Sequence, residues 1–317
     1  MDVVALGELL IDFTCQSTDM DGYPTMAAHP GGAPANFLAA LARYGAQTAF
    51  IGKVGDDSFG RMLRSTLSRS GIQTDGLVMA EDIFTTLAFV TLDSHGDREF
   101  SFARKPGADT QLCADEINLT LIDRAKVFHF GTLSLTDEPS RSATQYAVSY
   151  ARKQGKLISF DPNLRRPLWR SESAAREQIL WGLSMADIVK ISDEEVEFLW
   201  QCSAQEGAQR ILQETGAKLV FVTCGANGSW YANKNACGHV DALQNISVRD
   251  TTGAGDIFGG SAMWKLLSLG KAPETLSDDE MRNIVRFACT AAGLSTTRPG
   301  GISSVPDLQE ISALLPH

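Results

Sequence analysis

No stretch of this chain is apolar for long enough to cross a membrane. Its longest apolar runs, such as VVALGELLI and KLVFVTC, are strand-length, far short of the roughly 18 to 20 residues that a spanning helix needs. Basic charge is also scarce: 28 Lys and Arg stand against 38 Asp and Glu, a net charge of -10, with no block of five like charges. That argues against a nucleic-acid surface or a membrane partner and for a small-molecule substrate. The six cysteines form no CxxC pair and the five histidines show no metal-ligand spacing. Such scatter argues against a zinc site or a disulfide framework and reads as free thiols in a reducing cytoplasm. Two nucleotide signatures are missing as well. No GxGxxG follows the first apolar run, which disfavours a nicotinamide oxidoreductase, and no Walker-type GxxxxGKS or GxxxxGKT occurs. The N-terminus has neither a basic region nor a small-residue cleavage site, so a secretory signal is not expected.

What is present is an alternation. Short β-prone runs at 3–11, 48–54, 126–131, 156–161, 187–192 and 218–224 are separated by helical-length amphipathic stretches at 34–44, 57–70, 139–154, 171–184, 193–200 and 204–215. This pattern predicts an α/β protein with a mostly parallel sheet covered by helices on both faces. Two regions break it. Residues 13–30 hold no helical period, and 84–104 reads as two strands joined by SHGD (94–97), a hairpin signal. Together they predict a small β-sheet lid over the main sheet. From 253 onward two helices are expected, one beginning near Gly253 and one over Asp278 to Thr296, all within one domain spanning 1–317.

Two glycine-rich helix starts carry the chemistry. In RDTTGAGD (249–256) the glycines let backbone N–H groups approach a ligand, and the following helix points its positive dipole end at the same spot. Asp256 then falls in the first turn, where a carboxylate can take a proton from an attacking hydroxyl. The same residues also suit ordinary helix capping. In GGAPAN (31–36), Asn36 lies on a first turn with a donor and an acceptor for a sugar hydroxyl, and Asp12 sits at the end of the first apolar run, where strand-end ligands gather.

The segments GGAPANFLAALARYGAQTAFIGKVG and DTTGAGDIFGG together resemble the two signatures of the ribokinase-like sugar kinases, and REFSFARKPGAD and SFDPNLRRPLWRS resemble the fructokinase branch of that family. The resemblance covers essentially the whole chain. It implies a three-layer αβα sandwich with a β-sheet lid and an ATP-dependent phosphorylation of the primary hydroxyl of a ketohexose, with fructose favoured. Kinases of 2-keto-3-deoxygluconate or of a riboside are the near alternatives, and a non-catalytic sugar-binding regulatory protein is the distant one; an intact Asp256 and Gly253-Ala254-Gly255 speak against the last.

By the same resemblance, Asp256 is the base, and the N–H groups of Gly253, Ala254 and Gly255 hold charge on the transferred phosphoryl group. Asp12, Gly32 and Asn36 bind sugar hydroxyls, while Arg104 and Arg165 reach over the substrate and the transferred group. Thr223, Gly225 and Gly228 form a TxGxxG turn along the nucleotide, with Cys289 nearby, and Lys190, Ser192 and Glu195 lie in the segment for nucleotide and magnesium-water contacts. Many relatives carry Asn where this chain has Ser192, and fructokinases commonly carry Tyr where it has Ala103. A potassium ion is implied beside the anion hole, at Asp250, Thr252, Ser295, Arg298, Gly300 and Ser304, several of them through carbonyl oxygens. A homodimer through the lid is also implied, with Phe100 and Phe102 as exposed contacts.

Overall fold

A computed structural model of the chain describes residues 1–92 and 98–315. Strand β1 (Val3–Leu6) shows how the core is divided. All four side chains are fully buried, but they point alternately to opposite faces: Val3 and Ala5 join one apolar cluster and Val4 and Leu6 the other. A strand covered on both sides needs such an unbroken apolar run, and each buried Val or Leu contributes about 1.5 to 3 kcal/mol.

The chain then forms β2 (Leu10–Thr18), β3 (Pro24–Gly31), β4 (Thr48–Gly55), β5 (Ile72–Ala80), β6 (Leu87–Leu92), β7 (Arg98–Ala103), β8 (Val127–Gly131), β9 (Leu157–Asp161), β10 (Ile188–Ser192), β11 (Leu219–Thr223), β12 (Ser229–Ala232) and β13 (Cys237–Val240). Among the described residues the main sheet has the order β13-β12-β11-β10-β9-β8-β1-β4-β5. It is parallel from β11 to β5, with β12 and β13 antiparallel at one edge. Helices Ala33–Arg43, Ala254–Leu269 and Asp278–Ser295 cover one face; Ser140–Lys153, Glu172–Met185 and Ala204–Glu214 cover the other. The expected three-layer α/β sandwich is therefore present. Because β1 is flanked by β4 on one side and β8 on the other, the strand order reverses there, and the carboxyl ends of the strands open into a crevice.

The run at 3–11, expected as one strand, is two. The chain leaves the main sheet at Gly7-Glu8-Leu9 and enters the lid at Leu10. Gly7 donates its N–H to the Ile51 carbonyl at 3.2 Å, and a Cβ there would sit 2.6 Å from Pro34. A close approach therefore forces the break, and the apolar pattern runs straight across it. Strands β5, β12 and β13 were not expected. β5 carries Thr-Asp-Gly in its centre, a turn signal, and the other two are only four residues long.

The lid is β3-β2-β6-β7, starting at Leu10 instead of residue 13; the SHGD turn lies outside the described residues. Along β2, Leu10, Asp12 and Thr14 line a cavity above the crevice, joined by both Cys15 and Gln16 where the register shifts between Cys15 and Ser17. The opposite parity turns inward: Ile11 is fully buried, and the Phe13 ring lies 5.6 Å from Phe59 and 5.3 Å from Phe89. Phe102, expected as an exposed dimer contact, is half-buried and lines the same cavity. The Phe100 side chain lies outside the description.

Candidate active site

Three cavities meet at the turn 251–256. One of about 790 Å³ lies beneath the lid. A second of about 770 Å³ lies over the ends of β9 and β10 and shares Asn163, Arg165, Gly253 and Asp256 with the first. The third, about 510 Å³, extends over residues 223–228 and 242–248 and shares Thr223, Gly225 and Gly255 with the second. The result is one trough with the glycine turn at its centre.

Several bonds hold that turn. Asp250 Oδ1 accepts from the Thr252 N–H at 2.9 Å and from its hydroxyl at 2.6 Å, while Oδ2 accepts from the Gly300 N–H at 2.9 Å. Gly253 caps the helix with φ 74°, a conformation that costs a residue with a Cβ about 1 to 2 kcal/mol. Helix Ala254–Leu269 follows at once, so Gly253, Ala254 and Gly255 present the end of the helix at which backbone N–H groups lack intrahelical partners. Ala254 N–H turns back to the Thr251 carbonyl, at a long 3.3 Å.

Asp256 is half-buried in the first turn, and its Oδ2 accepts from Asn36 Nδ2 at 2.9 Å. That bond joins the first turns of two helices. They pack closely because Gly260 leaves room for the Phe37 backbone carbonyl. Asn36 Oδ1 is buried without a partner among the described residues, although Asn36 lines the lid cavity. An orphaned acceptor there calls for a donor from the ligand. Gly32, which starts the Asn36 helix, has φ 124°, and a Cβ there would sit 2.5 Å from the Glu8 carbonyl.

Electrostatics converge on the same point. Burial pushes Asp256 above the usual carboxylate range, against the pull of Lys190, the Asn36 bond and Arg165. Burial likewise pushes Asp12 up to about 6, with Arg165 opposing and Asp250 and Asp256 adding. Gly31 leaves space for the Asp12 carboxylate, which a Cβ there would meet. Burial pulls the Lys190 ammonium down, yet Asp161, Glu195 and Asp256 outweigh it and hold it above its ordinary value. Its Nζ donates to Asp161 at 3.0 and 3.2 Å. Arg165 is exposed at the mouth shared by the first two cavities.

Ser192 and Glu195 form a capping box. Glu195 Oε2 accepts from the Ser192 N–H at 2.8 Å, the Ser192 hydroxyl accepts from the Glu195 N–H, and Glu195 Oε1 takes the Leu164 N–H at 2.6 Å. The glutamate thus ties the Arg165 loop to β10. Thr223, Gly225, Gly228 and Cys289 line the third cavity. Burial raises Cys289 to about 12 and Cys224 to about 11, so both are thiols.

Of the expected cation set, Asp250, Thr252 and Gly300 come together. The side chains of the others are engaged elsewhere: Ser295 donates to the Ala292 carbonyl, Ser304 to the Gly301 carbonyl, and Arg298 pairs with Glu310. Arg104, expected over the substrate, is buried in an ion pair with Asp109 at 2.7 Å. Two residues of the crevice were not anticipated. Asp161 ends β9, a strand-end carboxylate legible in SFDPN; Glu8 lines the lid cavity and caps the Ala33 N–H at 2.9 Å. Burial holds Glu8 at about 7, against bonds from its own backbone and from Ala33.

A crevice in which a glycine-rich helix start meets a lidded, polar cavity is the arrangement of a small-molecule phosphotransferase. The model of the pfkB family carbohydrate kinases matches residues 1–308, and the chain belongs to that family. It is 42% identical to fructokinase-1 of Zea mays over 99% of this chain and 97% of that one. Among solved structures it resembles the fructokinase of Xylella fastidiosa with bound ATP (31% identity, TM-score 0.89, 99% of this chain and 97% of that chain). It also resembles the fructokinase of Vibrio cholerae O395 bound to fructose, ADP and calcium ion (32% identity, TM-score 0.87, 100% and 99%). Among the described residues no helix is long and apolar enough to cross a membrane, and no cluster of three or more His, Cys, Asp or Glu is arranged to hold a metal by itself.

Proposed function

We propose that this kinase transfers the γ-phosphoryl group of ATP to the primary hydroxyl of fructose, forming fructose 6-phosphate and ADP. The observation that carries the reading is Asp256, half-buried where the lid cavity meets the helix start and fixed by Asn36. Fructose lies beneath the lid with hydroxyls on Asp12, the Gly32 backbone and the free Asn36 Oδ1. Asp256 takes the proton of the primary hydroxyl; its oxygen bonds to the γ-phosphorus as the bond to the bridging oxygen of ADP breaks. The backbone of Gly253, Ala254 and Gly255, together with Arg165, holds the charge on the passing phosphoryl oxygens. Lys190, Ser192, Glu195 and the Thr223, Gly225 and Gly228 turn hold the nucleotide, with its base toward Cys289.

The second cavity is lined by Asp193, Glu194, Glu195 and Glu197, an oxygen set that suits magnesium arriving with the phosphates. Bound there, the metal would neutralise phosphate charge. The Asp250 turn, with carbonyl oxygens of Ser295, Arg298, Gly300 and Ser304, offers hard oxygen ligands for potassium. We further infer a cytoplasmic enzyme, supported by six unpaired cysteines, and a homodimer through the lid, whose hairpin tip leaves Met20 and Tyr23 104% and 71% exposed. A monomer by light scattering at micromolar concentration would refute the dimer.

An ADP-coupled assay over a sugar panel tests the substrate. Fructose is expected to give the highest kcat/KM. Turnover of 2-keto-3-deoxygluconate or a riboside without fructose would refute the substrate reading, and fructose binding with no ADP formation would refute the enzymatic one.

A further inference from the structure

We propose that Arg104 is a positioning residue: with Asp109 it clamps the end of the lid to the cavity wall and, through that wall, to the Arg165 loop, and it does not touch the sugar. The proposal rests on the sugar-kinase reading above and departs from the role that the resemblance implies for Arg104.

All three guanidinium nitrogens are already committed. Nε donates to Asp109 Oδ2 at 2.8 Å, Nη1 to the Thr136 hydroxyl at 2.9 Å and Nη2 to the Leu133 carbonyl at 2.7 Å. The Arg104 and Asp109 side chains are only 2% and 1% exposed. Breaking this set to reach a ligand would strip the buried Asp109 carboxylate of its counter-charge and leave it only the Thr86 hydroxyl, a large penalty. Asp109 also accepts from the Thr86 hydroxyl, and Gly107 makes that contact possible, since a Cβ there would collide with the same hydroxyl. The clamp therefore joins the base of β6 (Thr86), the residue after β7 (Arg104) and the turn after β8 (Leu133 and Thr136).

That turn forms part of the site. Leu133 is a wall of the lid cavity. Its neighbour Thr132 donates its N–H and its hydroxyl to the Pro162 carbonyl at 3.2 and 2.6 Å. Three residues beyond Pro162 stands Arg165, and Leu164 between them is held by Glu195. One continuous set of bonds thus runs from the lid to the groups that face the transferred phosphoryl. A clamp in this position fixes first how the lid sits over the sugar and reaches the nucleotide side only remotely, through Pro162 and Leu164.

Three variants of the full chain test this: Asp109→Asn, Thr136→Val and Arg104→Lys. None of the three residues lines the lid cavity. Amide hydrogen exchange is expected to speed up in 87–92 and 98–103 in each variant and to stay unchanged in 188–192. The sugar KM is expected to rise about tenfold, equivalent to about 1.4 kcal/mol, with the ATP KM unmoved. On a series of monodeoxy fructoses the Arg104→Lys penalty should be the same for every analogue. Loss of the penalty on one analogue would identify a hydroxyl that Arg104 touches and overturn the clamp. So would variants that remain folded by circular dichroism with both exchange and sugar KM unchanged. Failure of the wild type to use fructose would sink the substrate reading alone, because the exchange readout needs no sugar.

Discussion

Replacing Asp256 by Asn separates catalysis from stability in one substitution. The amide keeps the size and, turned so that its oxygen faces Asn36 Nδ2, keeps the 2.9 Å bond that aligns the two helix starts. What disappears is the proton acceptor. A positioned general base is worth about 10² to 10⁴ in rate, or about 2.7 to 5.4 kcal/mol of barrier at about 1.36 kcal/mol per factor of ten. Burial, the largest influence, raises the Asp256 carboxyl above its unfolded value. The sign for stability follows: an acid raised in the folded state contributes stability that is fully present below its unfolded pKa and lost as pH rises through the folded one. Above its folded pKa the ionised side chain is a net cost, which the neutral amide removes. Lys190 keeps Asp161 as its partner. The expected result in the ADP-coupled assay is a kcat lower by about 10² to 10⁴, with the sugar KM little changed and a melting temperature no lower than wild type at pH 8. Retention of more than about a tenth of the wild-type kcat would refute the base assignment. A large fall in melting temperature would show that the carboxylate holds the fold.

Gly253→Ala places a Cβ at φ 74°, 3.0 Å from both Asn36 Nδ2 and Gly301 Cα. It should cost about 1 to 2 kcal/mol in denaturant titration and lower kcat more than it raises the sugar KM; full activity would mean that the turn tolerates displacement. Asp12, raised to about 6 by burial, is ionised above that pH and neutral below it. The sugar KM of the wild type should therefore climb as pH falls through about 6, and Asp12→Asn should give a higher KM that is flat over the same range. A wild-type KM independent of pH would remove Asp12 from the sugar contacts.

Long periodic elements were legible in the sequence because periodicity is what the layers impose. The helix expected at 57–70 is Ser58–Arg69, and that expected at 139–154 is Ser140–Lys153. Edge elements were not. β5 bears Asp75 and Gly76 and, among the described residues, is paired along one edge only, so tertiary pairing with β4 overrides a local turn signal. Within the site, residue type and spacing located Asp12, Asn36 and Asp256 in one crevice. For arginine, type and spacing say little about direction. Arg165 lies in the cavity mouth and Arg104 beneath the lid, and the difference is set by Asp109 and Thr136, residues to which the motif gives no weight.

The hardest feature to read is the one on which the sugar side depends. Within VVALGELLI nothing in the apolar pattern marks Gly7-Glu8-Leu9 as a break, yet that step decides which face of β2 each side chain takes. It sends Leu10, Asp12 and Thr14 toward the cavity and Ile11 and Phe13 toward the core. A slip of one residue would exchange the two sets, placing Phe13 over the sugar and Asp12 against Phe59. The step is held from outside the strand, by the Gly7 bond to Ile51, the contact with Pro34 and the Glu8 bond to Ala33. The GGAPAN turn therefore does more than start the Asn36 helix: it also sets the register that gives the lid its aspartate.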